Sequence, residues 1–150
     1  MKGRVLLYLL FVAALCMGCG NALTKRELMA LEARINEVPD SVLAELTATD
    51  MPRWGESRAL YALLTVEAQD KSYIDVADDS LICVATRYYN RHGSPLHRLQ
   101  AFYYHGRVYT NAGLRHEAMA AYSRAQDFVD RKSTRLNSSH AELSRMPSSA

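Results

Sequence analysis

The chain is sparing with the residues that build special architectures. Among 150 residues there are three cysteines, seven glycines, four prolines and one tryptophan. Three cysteines cannot form the dense disulfide framework of a small secreted scaffold. The few glycines and prolines exclude a collagen-like chain. Phosphate-cradling loops of the forms GxxxxGK(S/T) and GxGxxG are absent, no nucleophile elbow is visible, and no HExxH or CxxC pattern accompanies the histidines. No cofactor is indicated.

Enough apolar sequence remains for one folded domain, since 49% of residues are hydrophobic. The net charge of +2 is unevenly spread: residues 1–18 carry +2, residues 19–130 carry −3 and the remainder +3. The foldable part is mildly acidic, so the overall pI gives no argument for nucleic acid. Tyr88-Tyr89 and Tyr103-Tyr104 could stack bases, but their setting is acidic.

Residues 1–4, MKGR, precede the apolar run VLLYLLFVAALCMGC. A basic start followed by a short hydrophobic stretch reads as a secretory leader. Its end, Cys16-Met17-Gly18-Cys19, resembles a bacterial lipobox, in which a small residue precedes the lipidated cysteine. The resemblance implies lipid attachment at Cys19, a signal over residues 1–18, a linker over 19–23 and a place in the bacterial cell envelope, facing the periplasm. Several acyl chains give stable anchoring where one gives only transient binding. Cys83 is then the single remaining thiol, and its neighbours Leu81, Ile82 and Val84 place it in a helix core.

From residue 24 onward the pattern is helical. Thr24 and Glu27 form a capping-box pair ahead of the stripe Leu28, Leu31 and Ile35, which predicts a helix over 24–37. Val38-Pro39 ends it, and a short helix from Asp40 or Ser41 carries Leu43 and Leu46. Leu60, Leu63, Leu64 and Ala68 form the next stripe, with Trp54 closing the end of that unit. Residues 72–79 read as a loop. Leu81, Val84, Ala85 and Tyr88 then line one side of a helix that starts near Asp79-Ser80 and stops at residues 91–95.

Residues 99–130 hold the clearest pattern. Phe102, Gly106 and Tyr109 share one helix face, Ala118, Tyr122 and Ala125 repeat that spacing on a second helix, and Gly113 separates the two. These positions resemble the tetratricopeptide repeat, a helix-turn-helix unit of roughly 34 residues. His105 stands where that family has Leu, and Asp130 where it has the closing Pro. Residues 1–130 are similar to tetratricopeptide lipoproteins of the Bacteroides type. The resemblance implies an all-α fold, a short right-handed solenoid of three antiparallel helix pairs over residues 24–130, each covering its neighbour's apolar stripe.

The resemblance also implies a binding surface. First helices of such repeats line a concave groove that holds a protein or extended peptide, which would place Gln100, Tyr103, Tyr104, Arg107, Thr110 and Asn111 on it. Tyrosine and arginine are enriched in interface hot spots. A non-enzymatic adaptor is therefore expected, bound to a membrane through its lipid; the alternative is a sensory or regulatory input module whose output domain lies outside this chain. His92, His97, His105 and His116 are scattered over loops and helices, and Asp75, Asp78 and Asp79 lack the spacing of a calcium loop, so no metal site is expected. Residues 131–150 lack apolar periodicity and read either as a disordered end or, from STRLNSSH, as a translated vector end that cuts the gene model inside a longer protein.

Overall fold

The computed structural model describes residues 21–143, with side chains from 21 to 129. The expected all-α class holds: the chain forms α1 (Lys25–Arg34), α2 (Pro39–Thr47), α3 (Gly55–Lys71), α4 (Ser80–Tyr89), α5 (Pro95–Asn111) and α6 (Arg115–Leu143). Among the described residues there is no strand, only an isolated parallel bridge joining Ala22 to Asp50. The expected signal over residues 1–18 and the lipid attachment expected at Cys19 fall outside the described residues. No described helix is long and apolar enough to cross a membrane.

Local chemistry sets the helix ends. The Thr24 Oγ1 accepts from the Glu27 backbone N–H at 3.4 Å, and the Glu27 carboxylate accepts from the Thr24 N–H at 2.8 Å. That satisfies two donors which a helix start otherwise leaves open. Pro39 occupies the first turn of α2, where a missing N–H costs nothing, so this helix begins ahead of Asp40. Ser94 caps α5 through the His97 N–H, with Pro95 again in the first turn. After Asn111, Gly113 takes φ +75°, while the Leu114 N–H reaches the Tyr109 carbonyl at 2.9 Å and the Gly113 N–H reaches Thr110 at 3.0 Å. This paired closure needs a left-handed residue, which glycine adopts without strain.

Consecutive helices pack as hairpins, α1 on α2, α3 on α4 and α5 on α6; α3 also touches α1, α2 and α5. The central helix is buried without interruption from Ala59 to Ala68. One side, Leu60, Tyr61, Leu64 and Ala68, joins Leu28, Leu31, Ile35, Val42 and Leu46. The other, Ala59, Ala62, Leu63 and Val66, joins Ile82, Ala85, Tyr89, Ala101, Tyr104 and Val108. Each fully buried leucine stabilises by about 1.5–3 kcal/mol relative to exposure. Tyr61 carries its hydroxyl into the first cluster, where it donates to the Leu46 carbonyl at the end of α2, at 2.9 Å.

Two expectations are corrected. Trp54 does not close the unit; it is 76% exposed. The buried face of α4 is Ile82, Ala85, Thr86 and Tyr89, rotated by one residue from the Leu81, Val84 and Tyr88 stripe, which is only half-buried. Both stripes have helical spacing, and α4 turns the one with Ile82 and Tyr89 toward α3 and α5. The α6 backbone is helical to Leu143.

In the α5–α6 hairpin, Phe102 stacks on Phe128 at 5.8 Å and the Arg124 guanidinium lies 4.6 Å above the Phe102 ring. Gly106 faces the Tyr122 ring so closely that a Cβ there would lie 2.5 Å from its Cε1. Ala118 and Ala125 are buried, and Tyr109 is half-buried, turned toward Asp79 instead. Gly106→Ala should therefore destabilise the protein through a clash costing about 1–3 kcal/mol, less about 1 kcal/mol of gained helix propensity. In a Tyr122→Ala background the clash disappears and Gly106→Ala should stabilise. Urea denaturation of the four chains reads that reversal of sign; the same loss in both backgrounds would disprove the contact.

Candidate functional site

α5 is the helix on which the functional reading concentrates, and its side chains point in three directions. Outward, Tyr103 is 43% exposed. It lines an open cleft of about 230 Å³ with Leu99, Tyr122, Ala125, Gln126 and Val129. The Thr110 hydroxyl lies on the same side, bonded to the Gly106 carbonyl at 2.8 Å and 3.1 Å from the Tyr122 hydroxyl.

Toward α3, Arg107 donates from Nε to Asp70 Oδ1 at 2.8 Å, and this bond raises its pKa further. Asn111 donates to the Val76 carbonyl at 3.2 Å and ties down the loop of residues 72–79. Tyr104 corrects the groove assignment: it is buried in the α3–α4–α5 core. Its phenol pKa is driven up by burial and by the nearby Glu67 carboxylate. Glu67 is itself 3% exposed, 3.7 Å from Lys71, and burial raises its pKa. Gln100 is half-buried with its Oε1 lacking a partner. The six residues thus do not form one surface, because a helix packed against α3, α4 and α6 exposes only a narrow strip.

A second cleft of about 370 Å³ opens between α3 and α4. Arg58, Arg87, Arg91 and His92 line it beside Tyr88. Arg58 is steadied by bonds to the Pro52 and Arg53 carbonyls at 3.3 and 3.4 Å. Guanidinium groups beside an aromatic ring suit carboxylate-bearing partners.

The histidines are less scattered than their spacing in the chain implies. His97 Nε2 lies 2.8 Å from Glu32 Oε1, a link from α5 back to α1. His105 meets α4, where its Nε2 is 3.6 Å from Asp79 Oδ2 and 3.9 Å from Cys83 Sγ. Cys83 and Asp79 are 3.5 Å apart, and the Tyr109 hydroxyl donates to the same Asp79 oxygen at 3.3 Å. Burial, reinforced by Asp79, pushes the Cys83 thiol up, and burial pushes His105 down. Asp78, not Asp79, bonds the Ser80 N–H at the start of α4, leaving Asp79 to face the other three. The i,i+4 spacings of Asp79 with Cys83 and of His105 with Tyr109 are signals in the sequence; their meeting is not.

Comparison of the chain with protein-family models, characterised proteins and solved structures gives no match.

The His97–Glu32 pair predicts a pH dependence. The Glu32 hydrogen bond raises the His97 pKa against burial; Glu56 adds to the rise, Lys25 opposes it, and the Tyr89 ring packs 5.1 Å away. A raised histidine pKa means that the folded state binds the proton more tightly. Its stabilisation is complete below the unfolded value of about 6.5 and fades as pH rises through the folded pKa. The melting-temperature gap between the native chain and His97→Gln should be widest near pH ~6 and narrow by pH ~8.5. A gap constant across that range would show that the ionic contact contributes nothing.

Proposed function

We propose that this chain is a non-enzymatic helical-repeat adaptor of the tetratricopeptide kind, tethered to a bacterial envelope membrane through a lipid on Cys19 and holding a protein or extended peptide. The observation that carries the reading is the serial hairpin packing, in which the first helix of one hairpin touches the first helix of the next, α1 on α3 and α3 on α5. Such stacking leaves elongated faces open to partners. The close Gly106–Tyr122 approach and the glycine turn at Gly113 support the repeat reading. Tyr103 in its apolar cleft and the arginines between α3 and α4 supply contact types that dominate interface energetics. The second reading, an input module for a separate output domain, uses the same surfaces and differs only in what is joined to them.

The test uses the whole chain expressed with its leader in a bacterium that processes lipoproteins. Radioactive fatty acid should label the native protein and not Cys19→Ser. Envelope proteins captured by the native chain should be lost from a Tyr103→Ala/Arg87→Ala/Arg91→Ala variant of unchanged helicity. Label retained on Cys19→Ser would overturn the tether, and undiminished capture by the folded triple variant would overturn both clefts as the binding surfaces.

A further inference from the structure

Asp79, the residue that precedes α4, stands four positions before Cys83 on that helix, and His105 faces both from α5. Their Oδ2, Sγ and Nε2 atoms form a closed triangle with sides of 3.5, 3.6 and 3.9 Å. A triangle of those sides has a circumscribed radius of about 2.1 Å, the length of a zinc–nitrogen bond. An ion near its centre, displaced slightly away from the sulfur to reach the longer zinc–sulfur bond of about 2.3 Å, would lie at bonding distance from all three atoms without backbone movement. Tetrahedral zinc with one oxygen, one sulfur and one nitrogen ligand would set the same three edges at about 3.5, about 3.3 and about 3.6 Å. Shifts of a few tenths of an ångström reach that arrangement.

A nucleophilic relay would have a different layout. There the carboxylate holds the imidazole by the ring nitrogen remote from the thiol. Here Asp79 Oδ2 approaches the same Nε2 that faces Cys83, so the three atoms converge on one point instead of lying in series. A thiolate, an imidazole and a carboxylate are together the donor set of a borderline-soft divalent cation, since calcium and magnesium take oxygen almost exclusively.

The surroundings complete the site. The Tyr109 ring stacks on His105 at 4.2 Å and fixes the imidazole plane, while its hydroxyl donates to Asp79 Oδ2. Outer contacts of this kind orient metal ligands. His105 and Cys83 are partly buried, while the Asp79 side chain is 42% exposed, which gives an ion a way in and a solvent-side fourth position.

We propose that Asp79, Cys83 and His105 form a binding site for a zinc-class divalent cation that staples α4 to α5. The test titrates the full chain, carrying Cys16→Ser and Cys19→Ser so that Cys83 is the only thiol, with Co²⁺ and then with Zn²⁺. A thiolate-to-cobalt charge-transfer band should appear with tetrahedral ligand-field bands, and Zn²⁺ should displace both. Cys83→Ser should abolish the charge-transfer band, and His105→Gln and Asp79→Asn should each weaken Zn²⁺ binding by at least ~10-fold, with Tyr109→Phe weakening it less. Circular dichroism confirms that each variant keeps its helices. No thiolate band, or Zn²⁺ affinity unchanged in folded Cys83→Ser and His105→Gln, would overturn the site and leave only exposed histidines as adventitious ligands.

Discussion

Two-sided burial of α3 is the constraint on which the other helices depend. From Ala59 to Ala68 no residue reaches solvent appreciably, so this helix has no polar face to present to water. It must be covered from two directions, and the two clusters that cover it contain nearly all the large buried side chains. The first hairpin closes one side through Leu28, Leu31, Val42 and Leu46. On the other, α4 and α5 supply Ile82, Tyr89 and Val108. Neither cluster is complete alone, which makes α3 a shared wall; loss of either covering would expose half of it.

Polar contacts adjust this arrangement more than they sustain it. Lys25–Glu56, Arg34–Glu45 and Arg107–Asp70 are all at least partly exposed pairs, which solvent screens so that they add little to stability. Their placement is nevertheless informative. Lys25–Glu56 joins the first hairpin to α3, Arg107–Asp70 joins α3 to α5, and His97–Glu32 links the first hairpin to the third. Each of these pairs spans two of the three hairpins.

Features set within one helix turn were legible in the sequence. The Thr24–Glu27 capping box, the stop at Gly113 and the Phe102–Gly106 face all follow from spacings of three and four residues. The buried side of α4 was legible only at Ala85, because Leu81, Val84 and Tyr88 compete with Ile82 and Tyr89 at the same period and only α3 and α5 decide between them. Tyr104 was misplaced for a related reason: its position on α5 suits a groove until α3 is set against it. The Asp79–Cys83–His105 convergence joins residues more than twenty positions apart, a relation that depends on how two helices dock. A local pattern holds half of such a site on each helix and no record of their meeting.

The bridge between Ala22 and Asp50 sets a length. The Asn21 carbonyl accepts from the Asp50 N–H at 3.2 Å, and the Asn21 N–H donates to the Asp50 carboxylate at 3.2 Å, so the chain is already held to the α2–α3 turn at residue 21. Only Gly20 separates it from Cys19, so the two Cα–Cα steps span at most about 7 Å. Under the proposed lipidation the leash is therefore shorter than one Debye length at physiological salt, about 8 Å. Such a domain would ride on the lipid headgroups instead of sampling a volume above them.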